Sequence, residues 1–264
     1  MDYPIAFYKV FNHHELGYQG NTSSVVFLDA EPLDHARLQR LANDLNQPAT
    51  TFIWPLEDNR FGTRWFAPDG EIGLCGHGSA AAVAYLKDEK IADHPQLVYE
   101  DGSISSNPSL EGKISFNITR IPVKEEVEVS ADILNGFGVL VKAHYRTDNK
   151  DIILLNSESD LKKMKPNFAL LAKLPPFGYV VTTEGSRSDI ACRTIVPKVQ
   201  QLEDHATGSS HAVIAPFWSE LLNKKQLVSH QLSPRGGFFE CTVNNEVVTL
   251  SGNYERFTEG HVKF

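Results

Sequence analysis

The sequence predicts an α+β protein of two similar halves, each a curled sheet around a central helix, and three observations carry that prediction. Strand-like runs outnumber helical ones in both halves. Two stretches half a chain apart share one layout. Arg64 stands four residues before Pro68 and Arg193 four before Pro197, and each proline is followed after ten or eleven residues by Gly-Ser, at Gly78-Ser79 and Gly208-Ser209. Each Gly-Ser opens a run of small and apolar residues suited to a buried helix. A layout that recurs at half the chain length reads as one unit used twice. The expected halves are residues 1–120, with the last C-terminal residues as a candidate addition to them, and residues 121–264.

Taken in order, Ile5 to Phe11 alternates as a first strand, His13 to Gly20 is a polar loop, and Ser24 to Leu28 is a second strand. Leu33, Leu38, Leu41 and Leu45 fall near helical spacing, which predicts an amphipathic helix over Pro32 to Leu45. Strands are expected at Thr50 to Pro55 and Thr63 to Phe66, then a turn at Pro68-Asp69-Gly70 and a helix from Ser79 to about Leu86. Strands near Gln96–Glu100 and Lys113–Asn117 close the first half, and Ile121 to Val129 reads as a crossover. The second half repeats the pattern: strands near Gly138–Tyr145 and Asp151–Leu155, a helix over Asp160–Leu174, strands at Tyr179–Thr183 and Ile190–Ile195. A helix from Ser210 to Leu222 follows, with a possible kink at Pro216, then strands at Phe238–Val243 and Val247–Ser251 and a final short segment.

Among 264 residues, 41% apolar and 22% charged content is ordinary for a globular chain, and a net charge of −8 argues against a nucleic-acid partner while leaving room for a local positive pocket. Three cysteines, Cys75, Cys192 and Cys241, with no CxxC spacing predict reduced thiols and no zinc site. Met1-Asp2-Tyr3-Pro4 has no basic start leading into an apolar stretch, and no apolar run reaches a membrane span, so no signal peptide, no membrane and a cytoplasmic location are expected. The charged run Lys124-Glu125-Glu126-Val-Glu128 reads as a solvated edge rather than a binding patch.

Cys75-Gly-His-Gly78 lies just before the first small-residue helix. Glycines let a ligand approach the backbone, helix-start N–H groups favour an anion, and His77 stands where a proton donor or acceptor is useful. Asp204 and Ser209 hold the matching place in the second stretch. Each also has a plainer role: Ser209 as a helix cap, Asp204 as a cap for the same helix, His77 as a structural histidine, Cys75 as a small buried hydrophobe, Asn21 as a turn residue.

The chain resembles the phenazine-biosynthesis PhzF-like family, which has the diaminopimelate epimerase fold. The segments that carry the resemblance are Gly20-Asn21, Asn46-Gln-Pro-Ala-Thr-Thr-Phe52, Arg64-Trp-Phe-Ala-Pro68, Glu71-Ile-Gly-Leu-Cys-Gly-His77, Glu203-Asp-His-Ala-Thr-Gly-Ser-Ser210 and Gln231-Leu-Ser-Pro-Arg-Gly-Gly237, in order along almost the whole chain. The resemblance implies two similar domains of mostly antiparallel sheet with a cleft between them, no metal, no organic cofactor, commonly a homodimer, and a place in secondary metabolism. It carries His77, Asp204, Gly208 and Ser209 over as matching site residues. It also marks a departure: the family's proton-shuttling Glu falls at Ala49, the Ser before it at Pro48, and the family's Asn-Pro and Asp-Pro at Asn21-Thr22 and Asp204-His205.

These residues suit a cofactor-independent isomerase-like enzyme that acts on a small anionic metabolite by proton transfer, rearrangement or cyclisation. Asp204 is the candidate base and His77 the candidate acid or relay. Asn21, Ala49, Gly76, Gly78 and Gly208, with the Ser209 hydroxyl, are candidates for substrate contact. Ala49 transfers no proton, and loss of one acid/base group typically costs ~10²–10⁴-fold in rate. Two alternatives stand beside this: a catalytically silent homologue that binds a ligand or a protein partner, and an active isomerase inactivated by an engineered change at Ala49. Glu71 either holds its turn or supplies the missing carboxylate.

Overall fold

Buried Ala6, Tyr8 and Val10 alternate with half-buried Phe7 and Lys9 in the first strand of a computed structural model that describes residues 2–263. The chain divides into two units, Met1–Ile118 with Ser251–Phe264, and Thr119–Leu250. In chain order the first holds β1 (Asp2–Asn12), a single 3-10 turn at His14–Leu16, β2 (Asn21–Phe27), α1 (His35–Leu45), β3 (Thr50–Pro55), β4 (Arg60–Ala67), β5 (Gly70–Ile72), α2 (Gly76–Asp88), β6 (Gln96–Tyr99), β7 (Gly102–Ser105) and β8 (Lys113–Thr119). The second holds β9 (Val123–Val127), α3 (Ala131–Phe137), β10 (Val141–Thr147), β11 (Asp151–Leu155), α4 (Glu158–Lys163), α5 (Phe168–Leu171), β12 (Tyr179–Glu184), β13 (Ile190–Ile195), β14 (Glu203–Asp204), α6 (Gly208–Leu222), β15 (Gln226–Gln231) and β16 (Gly237–Val243). The last strand, β17 (Val247–Lys263), pairs antiparallel with β1, so the C-terminal residues from Ser251 join the first unit and the second ends at Leu250.

Each unit is α+β, and the two share one order of pairing. In the first, β1 is antiparallel to β2, β2 parallel to β3, β3 antiparallel to β4, β4 antiparallel to β5 and parallel to β6, and β6 antiparallel to β7. In the second, β10 to β16 repeat every one of these steps in the same sense. The central helix enters between the fifth and sixth strands of each series, as α2 and α6. Both are buried nearly all round, from Gly76 to Leu86 and from Gly208 to Pro216, which explains their runs of Ala, Ser, Gly and Val: only small side chains let sheet and helix approach on every face. By contrast α1 covers only one face, with Leu38, Leu41 and Ala42 packed on Phe52, Trp54 and Phe66, and Asp34 caps it by accepting from the Arg37 N–H.

Several expectations change. The helix foreseen over Asp160–Leu174 is two short ones, α4 and α5, because Pro166 between them offers no N–H and excludes its predecessor from helical geometry. The crossover at Ile121–Val129 contains a strand, β9, paired with β10. The separate ends at Val247–Ser251 and beyond are one long strand. Pro216 does not interrupt α6. The carbonyl it leaves without a helical partner, on Ala212, accepts instead from the Ile121 N–H at 3.0 Å.

Candidate active site

The central helices begin earlier than their small-residue runs suggest. The N-cap of α2 is Cys75 and that of α6 is Thr207, so the first helical residues are Gly76 and Gly208. In this frame the Gly-Ser pairs of the two stretches are two residues out of step: His77 falls opposite Ser209, Gly78 opposite Ser210, and Ser79 opposite His211. The hydrogen bonds agree with the shifted frame. Ser79 Oγ donates to the Cys75 carbonyl at 2.6 Å, and His211 Nδ1 donates to the Thr207 carbonyl at 2.8 Å. His77 therefore lies within the first turn of α2, not ahead of it.

The first turn of α2 is tightly packed. Cys75 Sγ accepts from the Gly78 N–H at 3.3 Å and lies 3.6 Å from both ring nitrogens of His77. Gly78 is required sterically, since a Cβ there would stand 2.5 Å from Trp65 Cδ1 and 2.9 Å from Thr51 Oγ1. The Trp65 indole N–H is buried with no hydrogen-bond partner among the described residues. Ala49 is fully buried, and a short chain joins its backbone to this turn: Ser23 Oγ donates to the Ala49 carbonyl at 3.0 Å and lies 3.2 Å from Thr51 Oγ1, which donates to the Gly78 carbonyl at 3.3 Å. Asn21 is also buried, at the start of β2, with its Oδ1 accepting from the Thr22 N–H. Gly20 before it has φ +66, and a Cβ would meet the Val10 carbonyl at 2.1 Å, so only glycine admits the chain there.

In the second unit Asp204 is half-buried, and its Oδ2 accepts from Thr207 Oγ1 at 2.8 Å. Gln231 fixes the same loop: its Oε1 accepts from the Thr207 N–H at 2.8 Å and its Nε2 donates to the Asp204 carbonyl at 2.6 Å. Ser209 is 8% exposed, and its Oγ accepts from Lys150 Nζ at 3.0 Å. His211 is wholly buried, stacked on Phe239 at 3.8 Å, and takes Ser229 Oγ at 2.9 Å on its second nitrogen. Burial holds its pKa down to about 4, against the raising effect of the Thr207 carbonyl, so the ring is neutral and structural.

Both strands that lead into these helices carry the repeated arginine, and both arginines are occupied. Arg64 Nη1 bonds Glu71 Oε1 at 2.6 Å, while Arg193 grips Glu203 with two bonds of 2.8 and 2.7 Å. Each pair ties a strand to the short strand beside it, which is the turn-holding role for Glu71. Neither central helix has an acidic residue in its first turn, which leaves the N-terminal N–H groups favourable to an anion. The three cysteines are buried and none forms a disulfide among the described residues, and burial raises the pKa of Cys192 to about 12. No helix of the described residues is long and apolar enough to cross a membrane.

The structure thus groups Gly76, His77 and Gly78 on one helix turn, connected to Ala49, and groups Gly208 and Ser209 on the equivalent turn of the other unit, with Asp204 at the end of β14 bonded to its N-cap Thr207. The sequence reading missed Thr207, Lys150 and His211. Thr207 was recoverable from its place as the residue before Gly208, like Cys75 before Gly76. Lys150 left no signal, because a lysine in Asp148-Asn149-Lys150 reads as an exposed turn.

A model of the family described as phenazine biosynthesis-like protein, PhzC-PhzF, matches residues 8–260. A Pseudomonas aeruginosa protein named uncharacterized isomerase PA2770 is 32% identical over 247 residues, covering 92% of this chain and 93% of its own. A crystal structure of a PhzF-family phenazine biosynthesis protein from Enterococcus faecalis superposes with a TM-score of 0.90 at 28% identity, covering 100% of both chains. A predicted epimerase from Pseudomonas aeruginosa, PA4716, shares the fold with a TM-score of 0.78 at 21% identity, over 98% of this chain and 99% of that one. With the repeated α+β unit and the two equivalent helix turns, these matches establish that the chain belongs to the phenazine biosynthesis-like, PhzC-PhzF family and is isomerase-like in kind.

Proposed function

We propose that this protein is a cofactor-independent isomerase that moves a proton on a small anionic metabolite, with rearrangement or cyclisation as the outcome where the substrate's bonds allow it. The observation that carries the reading is the equivalence of His77 and Ser209, each the second residue of a buried central helix whose first turn lacks acids. Such a turn offers N–H groups to a carboxylate and to the charge that develops when a neighbouring carbon loses its proton. Asp204 is the base, its carboxylate oriented by the Thr207 hydroxyl. His77 returns or relays the proton. Gly76, Gly78, Gly208 and Ser209 hold the carboxylate, and Asn21 orders the entry to β2. The working form is a cytoplasmic homodimer.

Ala49 supports a second reading, a family member that binds without turnover, because the residue at that place carries no proton. Incubation with a panel of carboxylic-acid metabolites in D₂O separates the two. Deuterium appearing on carbon, and falling ~10²–10⁴-fold in Asp204→Asn, is the result expected of the isomerase. Saturable binding of a metabolite with no exchange and no product supports the silent relative.

A further inference from the structure

Lys150 is 5% exposed, a rare state for a lysine, and its ammonium reaches into the first turn of α6. Nζ donates to Asn149 Oδ1 at 2.7 Å and to Ser209 Oγ at 3.0 Å. We propose that Lys150 is a positioning residue that makes Ser209 a hydrogen-bond donor to a carboxylate group of the substrate. The proposal rests on the isomerase reading only for what that carboxylate belongs to.

The argument begins with donor inventory. An ammonium group has no lone pair, so in this contact Lys150 donates and Ser209 accepts. A hydroxyl that accepts in this way keeps its single proton for another partner. Ser209 Oγ has no other partner among the described residues, although the residue is buried and a buried hydroxyl donor is normally satisfied. A carboxylate oxygen supplies the missing acceptor, and the nearby ammonium offsets its charge in a place that bulk water does not screen.

The fold itself does not require a lysine here. The hairpin that precedes β11 is held without its side chain: the Thr147 N–H donates to Asp151 Oδ1 at 3.3 Å, Thr147 Oγ1 donates to the Lys150 carbonyl at 2.9 Å, and the Asn149 N–H donates to Thr147 Oγ1 at 3.1 Å. The first unit shows what the same position does elsewhere. Ser24 and Asp151 open the equivalent parallel pairs, with their N–H groups donating to the Ala49 and Gly178 carbonyls, so Lys150 occupies the place of Ser23. Ser23 connects to its helix turn through Thr51, with hydroxyls alone. The second unit spans the gap with an ammonium, which unlike the Ser23 hydroxyl can only donate and so fixes Ser209 as the acceptor of that contact.

The test uses acetate, with acetamide as the uncharged control, both small enough that the shape of the site does not decide. With ¹⁵N-labelled lysine in the intact protein, acetate but not acetamide is expected to shift the Lys150 ammonium signal, assigned by its loss in Lys150→Met. Lys150→Met is expected to weaken acetate binding about ten- to a hundredfold. Ser209→Ala, a safe change at a helix start, weakens it similarly, and Lys150→Met costs less in the Ser209→Ala background than in the wild type, since the lysine acts largely through the serine. If Lys150→Met does not fold, the wild-type signal and Ser209→Ala decide alone: Ser209→Ala must both weaken acetate and move that signal, assigned then by this response. The proposal is overturned if acetate does not bind the wild type or leaves the Lys150 signal unmoved, if folded Lys150→Met binds acetate like the wild type, or if its penalty is undiminished in Ser209→Ala. Acetate has no isomer, so these outcomes are independent of turnover; a negative D₂O exchange with acetate binding intact fails the isomerase reading and leaves this one standing.

Discussion

His211 shows how one residue's surroundings decide its role. It stands two residues from Ser209 in a region rich in functional candidates, yet both nitrogens are bonded and its pKa is held down to about 4 by burial. Its folded pKa is below the unfolded value near 6.5, so the unfolded chain binds the proton first as pH falls. Stability from this group is complete above about pH 6.5 and is lost progressively down to about pH 4, by about 3 kcal/mol in all, the scale of a shift of this size in a fully buried ring. Denaturant midpoints across that range measure the slope, and His211→Gln should flatten it. Gly78 makes a steric case: Gly78→Ala puts a methyl 2.5 Å from Trp65 Cδ1 and should cost about 1–3 kcal/mol, read as a lower melting temperature. At Ala49, fully buried, a glutamate is informative in sign. Ala49→Glu should raise carbon exchange if family-like chemistry persists and weaken anion binding if it does not; unchanged exchange and affinity would place the side chain away from the ligand. The glycines, His77 and Ser209 were legible in the sequence because they break the composition around them. Lys150 was not, because only the tertiary contact distinguishes it from any exposed turn lysine.

At the level of elements, the repeat was legible and its register was not. Arg64 and Arg193 mark equivalent strands, β4 and β13, but Gly-Ser recurs in each helix start at different turns, so matching like with like misaligns the helices by two residues. The caps, Cys75 and Thr207, set the true frame, and they share no chemistry visible in one sequence. Strands β5 and β7 escaped notice because such short segments with polar residues lack a period, and β15, although paired with both β13 and β16, because Gln226, Ser229, His230 and Gln231 make it read as polar. The paired arginines give a contrast that one experiment can read. Glu203 and Arg193 are both about one-tenth exposed and bonded twice, whereas Glu71 is 40% exposed and bonded once. Glu203→Gln should cost several times more stability than Glu71→Gln: loss of one partner from a buried pair is worth about 3–5 kcal/mol, that of an exposed pair about 0–1. Chemical unfolding of the two variants side by side checks the order.

For the whole molecule, one order of pairing occurs twice, and its two helix starts carry different groups. The first carries an imidazole; the second carries a hydroxyl backed by a cation, with a carboxylate held beside it. In the proposed reading, these groups serve an isomerase without a cofactor, in which a proton leaves carbon to one group and returns from another while charge is stabilised. The α+β class and its two similar halves followed from strand count and the internal repeat. The last C-terminal residues were a candidate addition to the first half, but their pairing with β1 in one long strand was not legible, because the partner lies at the opposite end of the chain. The measurement that tests the central claim most directly is solvent-deuterium incorporation at carbon in the wild type and in His77→Asn and Asp204→Asn, each confirmed as folded. The account predicts incorporation into at least one small carboxylic acid by the wild type and a ~10²–10⁴-fold loss in each variant. Incorporation that persists at the wild-type rate in both variants would contradict it.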